Sequence, residues 1–490
     1  MEAVTLTVIL TVVLALFFDF TNGFHDTANA MATPIATGAL KPRVAVILAA
    51  CLNLVGAFLS TEVAKTISGG IIHEDHLTPD AFPAIIFAGL VGAITWNMLT
   101  WLLGLPSSSS HALFGGLIGA TLVGAGIYAI DFGVLLSKVV LPALVAPLTA
   151  GIIAFCATKV AYVVTRRYDG RPDGRSGFRW GQIITSSLVA LAHGTNDAQK
   201  TMGVITLAFI AVGWQSSAHP EPMVWVVIAC ALAIALGTYT GGWRIIRTLG
   251  KGLTDVKPAQ GFSAETSTAA TILASSAFGF ALSTTQVASG SVIGSGLGRR
   301  GSRVRWNTVG RIVVGWLLTL PAAAIVGAIS AFFVVWWGLW GVLANAVLAT
   351  AVVLLVFRLS RRSRVHAHNA LDEETAPAGP RPSFSEVATS ALAVDVPETP
   401  SPTRRQRAIL LEKERLRVEA ENLQIRAALA AERQERIKVE LLALQEAEAR
   451  EAEATARVAA ERRAKEADAE RERIEKALRK AEKQAKRGRK

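Results

Sequence analysis

Cysteine is scarce in this 490-residue chain, and tyrosine nearly as scarce. Cys51, Cys156 and Cys230 fall in three separate apolar runs, where a free thiol behaves as a small buried hydrophobe. Neither a disulfide framework nor zinc-ligand spacing can be built from them. Also lacking are a phosphate-cradling P-loop, a pair of histidines at helical metal-binding spacing, and a nucleophile–base signature. These absences argue against an enzyme and against an ATP-driven machine, and they leave no expected cofactor or resident metal. Charged residues make up only 18% of the chain, and they crowd after Arg358.

What is present is apolar sequence. Hydrophobic residues make up 51% and the mean hydropathy is +0.40, although the C-terminal part is strongly polar. The apolar residues form runs at Val4–Phe18, Val44–Leu59, Ala81–Leu105, Val134–Val164, Met223–Tyr239, Ile312–Phe333 and Val334–Phe357. A helix needs about 20 such residues to cross the hydrocarbon core, so the sequence predicts an all-α polytopic membrane protein. The first run has no basic start and no small-residue cleavage site, so it reads as a retained span rather than a signal peptide. The net charge of +12 is explained by basic connections rather than by nucleic-acid binding. The connections Lys41–Arg43, Arg166–Arg179, Arg244–Lys257, Arg299–Arg305 and Arg358–Arg364 are expected inside. The Glu62–Asp80 and Trp214–Pro222 connections are then outside, with Glu62, Glu74 and Asp75 solvated. Trp96, Trp101, Trp336, Trp337 and Trp340 read as interfacial aromatics.

Two pairs of segments echo each other in the same order at nearly the same offset. Asn22-Gly23-Phe24-His25-Asp26-Thr27-Ala28-Asn29 answers His193-Gly194-Thr195-Asn196-Asp197-Ala198-Gln199-Lys200. The run from Ser108 to Gly119 answers that from Ser283 to Gly294, aligning hydroxyls, Gly115 with Gly290, and Gly119 with Gly294. Duplicated halves with polar, glycine-interrupted segments at matching places point to a secondary transporter with its site at the repeat interface. The expected organisation is repeat 1 at 1–165, a basic cytoplasmic loop at 166–179, and repeat 2 at 180–357.

Asp26 and Asp197 lie close to apolar sequence, where an ionisable side chain is costly and functional by default. Two converging carboxylates bind a cation or exchange a proton; the plainer reading is that each caps a helix. Asp19 lies in the first run, close to this motif. Ser107–Ser110 and Ser283–Thr285 precede small-residue helices, whose N-terminal amides and hydroxyls suit an oxyanion; taken alone, either run serves helix packing equally well. Asn29, Asn196, Gln199 and Gln286 both donate and accept, which suits a tetrahedral anion that carries a proton. Lys200 offsets anionic charge or pairs with an aspartate. His25 and His111 titrate in a useful range for a proton relay, yet for these, as for His193, a packing role is the commoner fate.

At these residues the chain resembles the PiT family of inorganic phosphate transporters. Gly23–Ala30, Pro106–His111 and His193–Lys200 look like its duplicated signatures and hydroxyl hairpin. The resemblance covers about residues 1–357 and implies an inverted-repeat fold with re-entrant helical hairpins that carries inorganic phosphate in symport with a cation. It places Asp26, Asn29 and Asp197 at the coupling-ion and phosphate site, and Ser109, Ser110, Thr284 and Thr285 at the hairpin tips. His25, in place of the asparagine of many members, and Gln199-Lys200 resemble the bacterial low-affinity branch. That branch implies H⁺ coupling and carriage of a divalent metal–phosphate complex, with Na⁺-coupled phosphate symport and H⁺-coupled sulfate symport as the alternatives. A sulfate carrier has a similar fold. The expected location is the bacterial inner (plasma) membrane, with the tail cytoplasmic.

Residues 358–403 read as a disordered linker, unable to bury enough apolar surface to fold. Beyond them, 404–490 reads as a charged helix. Ile409, Leu416, Leu423, Ala430, Ile437 and Leu444 recur at heptad spacing and predict a coiled coil capable of joining copies into a homo-oligomer. A membrane-anchored coiled-coil scaffold is the rival from another class, and an anion channel a third reading. Deleting residues 366–490 separates the first two: a transporter retains anion uptake in reconstituted vesicles, whereas a scaffold loses its role.

Overall fold

The computed structural model describes residues 2–68, 72, 81–166, 176–361, 365 and 467–477. In chain order its helices are α1 (Glu2–Ala36), α2 (Pro42–Gly56), α3 (Glu62–Ser68), α4 (Phe82–Leu103), α5 (Ser109–Gly124), α6 (Phe132–Leu135), α7 (Leu141–Arg166), α8 (Ser176–Ala211), α9 (Val224–Thr240), α10 (Trp243–Arg247), α11 (Pro258–Ala277), α12 (Thr284–Gly298), α13 (Trp306–Trp337) and α14 (Leu339–Ser360). The β pairing among the described residues is an isolated bridge between Ile72 and Ile130. Among the described residues, five helical stretches are long and apolar enough to cross a membrane: α1, α4, the rod Phe132–Thr165, α13 and α14. α9 makes a sixth when joined across a 58° bend to Trp243–Gly252.

Polarity is distributed inside-out relative to a water-soluble globule. Leu148, Ile152, Leu317, Val347 and Leu354 are exposed on the outside, while Asp19, Asp26, His193, Asp197, Lys200 and Glu265 are buried. That arrangement suits lipid as the surrounding solvent. It also departs from two expectations. Cys51 and Cys156 face outward, leaving Cys230 as the buried cysteine, because apolar side chains in a bilayer gain nothing by turning inward. Trp96 is buried between α4 and α13 and donates its Nε1–H to Thr319 at 3.0 Å. Trp101 packs on Phe24 and Phe357, with ring centres 5.2 and 5.7 Å away. Trp336, Trp337 and Trp340 are exposed.

Packing crosses between the two halves in a repeated pattern. α1 lies against α9 and α8 against α2; α5 lies against α13 and α12 against α7. The glycines that match in sequence do matching work here. A Cβ at Gly23 would overlap the Ile234 carbonyl on α9, and one at Gly194 the Asn53 carbonyl on α2. A Cβ at Gly119 would overlap the Ala324 carbonyl on α13, and one at Gly294 the Gly151 carbonyl on α7. With no solvent-driven attraction between helices in lipid, such backbone approaches and their dispersion contacts hold the bundle together.

The chain divides into two compact units, Met1–Pro377 and Ala378–Lys490. α14 ends the first helical bundle and runs past Arg358 to Ser360. In the second unit residues 467–477 are helical, with an i,i+4 pair between Lys476 and Glu472 at 2.6 Å. The heptad positions Ile409–Leu444 and most of the 358–403 linker lie outside the described residues, as do Glu74, Asp75 and most of the 166–179 loop.

Gly119→Val is expected to force α5 off α13 and to lower stability by about 1–3 kcal/mol or more. Gly310→Ala on α13, where an added Cβ meets nothing within 4 Å, should be neutral or stabilising by up to about 1 kcal/mol. Thermal unfolding midpoints of the purified variants in detergent check both.

Candidate functional site

Spacing along α1 and α8 delivers the polar residues to one place. Asn22, Asp26 and Asn29 recur at four and three residues, as do His193, Asp197 and Lys200, so each set lies on one helix face. Both aspartates sit within long helices rather than at their ends, which rules out the capping role. The close approaches at Gly23 and Gly194 seat α1 and α8 against their partners one turn before each aspartate.

The hydroxyl runs form the first turns of α5 and α12. Ser108 caps α5 by accepting from the His111 amide at 3.1 Å, and Ser283 caps α12 by accepting from the Gln286 amide at 3.3 Å. A β-region residue with a short hydroxyl side chain is the preferred N-cap; the hydroxyls that follow are Ser109, Thr284 and Thr285, which reach the aspartates, and Ser110, which donates to the Leu282 carbonyl at 3.2 Å. Ser109 donates to Asp26 Oδ2 at 2.9 Å and Thr285 to Asp26 Oδ1 at 3.1 Å. Thr284 donates to Asp197 Oδ2 at 3.0 Å and lies 3.3 Å from Asp26 Oδ2. Asn29 reaches the second tip, its Nδ2 3.0 Å from Thr285 Oγ1. Lys200 reaches the first, donating to Ser110 Oγ at 2.6 Å, to the Leu282 carbonyl at 2.8 Å and to Asp197. Eight sequence-picked residues therefore meet in one cluster: Asp26, Asn29, Ser109, Ser110, Asp197, Lys200, Thr284 and Thr285.

His193 joins them. Its Nδ1 lies 3.2 Å from Asn53 Oδ1, and Asn53 Nδ2 in turn donates to Thr238. With Nδ1–H spent on Asn53, Nε2 faces Asp197 Oδ2 at 3.0 Å and Asp26 Oδ2 at 3.9 Å. One ligand atom each from Asp26, His193 and Asp197 lies within 4.8 Å of the others. The repeat alignment carried a usable sign of this, because His193 takes the place of Asn22, whose Nδ2 lies 3.5 Å from Asp197. Unpaired buried oxygens border the cluster at Asn22 Oδ1, Asn29 Oδ1 and Asn196 Oδ1. Acceptors without donors beside two carboxylates make a lining suited to a cation or a proton-bearing ligand.

The remaining picked residues sit around this centre in supporting positions. His25 Nδ1 is 2.6 Å from Asp26 Oδ1, and its Nε2 is 3.4 Å from the hydroxyls of Thr100 and Ser107. Asn196, its repeat counterpart, donates to Ser276 at 2.8 Å. Gln199 accepts from the Val63 and Ala64 amides at 2.8 and 3.2 Å, holding the start of α3 against α8. His111 and Gln286 point elsewhere, into an apolar cavity of about 620 Å³ beside α7, α12 and α13. Outside the spans, Lys65 on α3 pairs with Glu62 at 3.2 Å, and that hydrogen bond holds its ammonium above its ordinary value.

The sequence and the fold are similar to those of known proteins. A model of the phosphate transporter family matches residues 22–172 and 164–327. A Mycobacterium tuberculosis protein named "Probable low-affinity inorganic phosphate transporter" is 58% identical over 322 residues, covering 66% of this chain and 76% of its own. A Bacillus subtilis protein of the same name is 42% identical over 332 residues, covering 68% of this chain and 98% of its own. A solved structure described as "The sodium-dependent phosphate transporter" shares the fold, with a TM-score of 0.59 at 23% identity, over 66% of this chain and 98% of that one.

Removing one partner of a buried ion pair leaves the other uncompensated. Lys200→Met should therefore destabilise the protein by about 3–5 kcal/mol, and Asp197→Asn in the same chain should recover part of that loss. Unfolding midpoints of the single and double variants measure the difference.

Proposed function

The chain belongs to the phosphate transporter family, and we propose that it imports inorganic phosphate across the plasma membrane by cation symport through alternating access. The observation that carries this reading is the meeting of both hydroxyl helix ends, both aspartates and Lys200 in one buried cluster. The hydroxyls of Ser109, Ser110, Thr284 and Thr285, with Asn29 and Lys200, supply donors for phosphate oxygens at two opposed helix N-termini, while the Asn196 amide is spent on Ser276 and the Phe280 carbonyl. Gln199 acts one step removed, by positioning α3.

Electrostatics supplies the coupling. Two charges about 4 Å apart interact by about 4 kcal/mol even at an effective dielectric constant of about 20. Phosphate entering beside Asp26 and Asp197 therefore meets repulsion that Lys200 alone does not offset. A cation held by Asp26, His193 and Asp197 removes it, so each ligand raises the affinity for the other. The oxygen-and-imidazole set accepts Na⁺ or a divalent ion travelling with phosphate, and a proton gradient drives the cycle. His25 stands directly on Asp26 as a relay candidate, whereas His111 lines the neighbouring apolar cavity.

The paired packing of α1 with α9, α8 with α2, α5 with α13 and α12 with α7 supports two repeats at 1–165 and 180–357 in inverted orientation. The helices α5 and α12, of 16 and 15 residues, are short for a full crossing, which supports re-entrant hairpins with α4 and α11. Rocking of one repeat against the other around the shared cluster opens it to each side in turn. The basic connections support a cytoplasmic tail, and the heptads of the tail support a homo-oligomer.

In proteoliposomes without Na⁺, radiolabelled phosphate should accumulate under an imposed pH gradient. Excess sulfate should not compete, and Asp26→Asn should lower uptake by about 10²-fold or more, in line with loss of a buried charge and its hydrogen bonds. Accumulation that needs Na⁺ reassigns the coupling ion; none under either gradient overturns the symport reading.

A further inference from the structure

Four carboxyl side chains are buried among the described residues: Asp19, Asp26, Asp197 and Glu265. Three of them are surrounded by donors. Asp26 receives Ser109, Thr285 and His25, Asp197 receives Lys200 and Thr284, and Glu265 on α11 receives Thr33, Gln182 and Thr185. Such shells replace the water that an anion loses on burial.

Asp19 has no such shell. It is fully buried in α1, and neither oxygen has a hydrogen-bond partner among the described residues. The Thr201 hydroxyl faces it from α8 without closing a hydrogen bond, and it too has no partner. The other groups that act on Asp19 are Asp197, His193 and Lys200 on α8 and Cys230 on α9. His193 and Lys200, the two that can be cationic, are already engaged with Asp197. An anion at Asp19 would have no counter-charge, at a cost of several kcal/mol. A protonated carboxyl needs only one acceptor for its hydrogen.

We propose that Asp19 is the proton-carrying group of the transport cycle, while Asp26 and Asp197 remain committed to phosphate and its cation. This rests on the proton-symport reading above. Asp19 lies one turn before Asn22, which faces Asp197, so gain or loss of its proton acts directly on the field at the binding cluster. By the offset that aligns Asp26 with Asp197, its counterpart in the second repeat is Ala190, also buried. The proton site is therefore single, where the aspartates are paired.

Two measurements on the full chain in proteoliposomes test this. One is exchange of labelled for unlabelled phosphate at equal pH on both sides; the other is accumulation under a pH gradient. Asp19→Asn should keep exchange within about twofold and lose gradient-driven accumulation by about tenfold or more, with net uptake no longer following external pH. Asp19→Glu should restore the response. Should the Asn protein fail to purify, Asp19→Ser is measured with the same outcomes expected. Accumulation equal to wild type, or exchange lost along with accumulation in a folded variant, overturns the proposal. Wild-type protein that exchanges phosphate but ignores the pH gradient instead refutes the proton-symport reading on which it rests.

Discussion

Placing Asp26 and Asp197 beside each other in the middle of a lipid-facing bundle costs several kcal/mol per ion unless the protein supplies what water would have supplied. The arrangement of the helical core follows from meeting that cost. Two helices must end where the carboxylates are, because helix N-termini are the cheapest source of donors that carry no mobile charge. Ser108 and Ser283 cap those ends, and the next hydroxyls of each turn complete the shell. Helices that end in mid-bundle must be shielded from lipid, and α13 and α7 do this by lying against α5 and α12.

Shielding at that distance is possible only because glycine faces a carbonyl at each crossing. Gly119 on Ala324 and Gly294 on Gly151 bring backbones together in equivalent places, and Gly23 and Gly194 do the same for the helices that carry the aspartates. Electrostatics and packing are therefore one problem here: a Cβ at any of these glycines would move a donor or a carboxylate as well as opening a contact. The same crossings exchange elements between the halves, so neither half builds the site alone.

The cluster is symmetric in layout and asymmetric in chemistry. Asn29 and Lys200 occupy matched positions and reach the opposite hairpin tips, one neutral and one charged. Asn22 and His193 are matched as well, one an amide and one an imidazole between the carboxylates. The matched positions therefore place unlike groups, an amide and an ammonium, an amide and an imidazole, around one pair of carboxylates. Asp19, buried without a donor while Asp26 and Asp197 are surrounded by them, extends that asymmetry to the carboxyls.

Sequence alone was sufficient for the helical class and for singling out eight of the residues that cluster, because each rests on local signals: apolar run length, glycine and hydroxyl spacing, and the price of an aspartate in apolar sequence. Run length also misled at Cys51, Cys156 and Trp96, since hydropathy records how apolar a segment is and not which face meets lipid. It likewise gave no warning that α1 continues past Phe18 through the motif to Ala36. The roles of Gln199, His193 and Glu265 depend on neighbours 80 or more residues away: Val63 and Ala64 for the first, Asp26 and Asn53 for the second, Thr33, Gln182 and Thr185 for the third. Which carboxyls receive donors and which is left without them was decided by tertiary structure, because a buried charge is solvated by whatever the fold brings to it and not by its own segment.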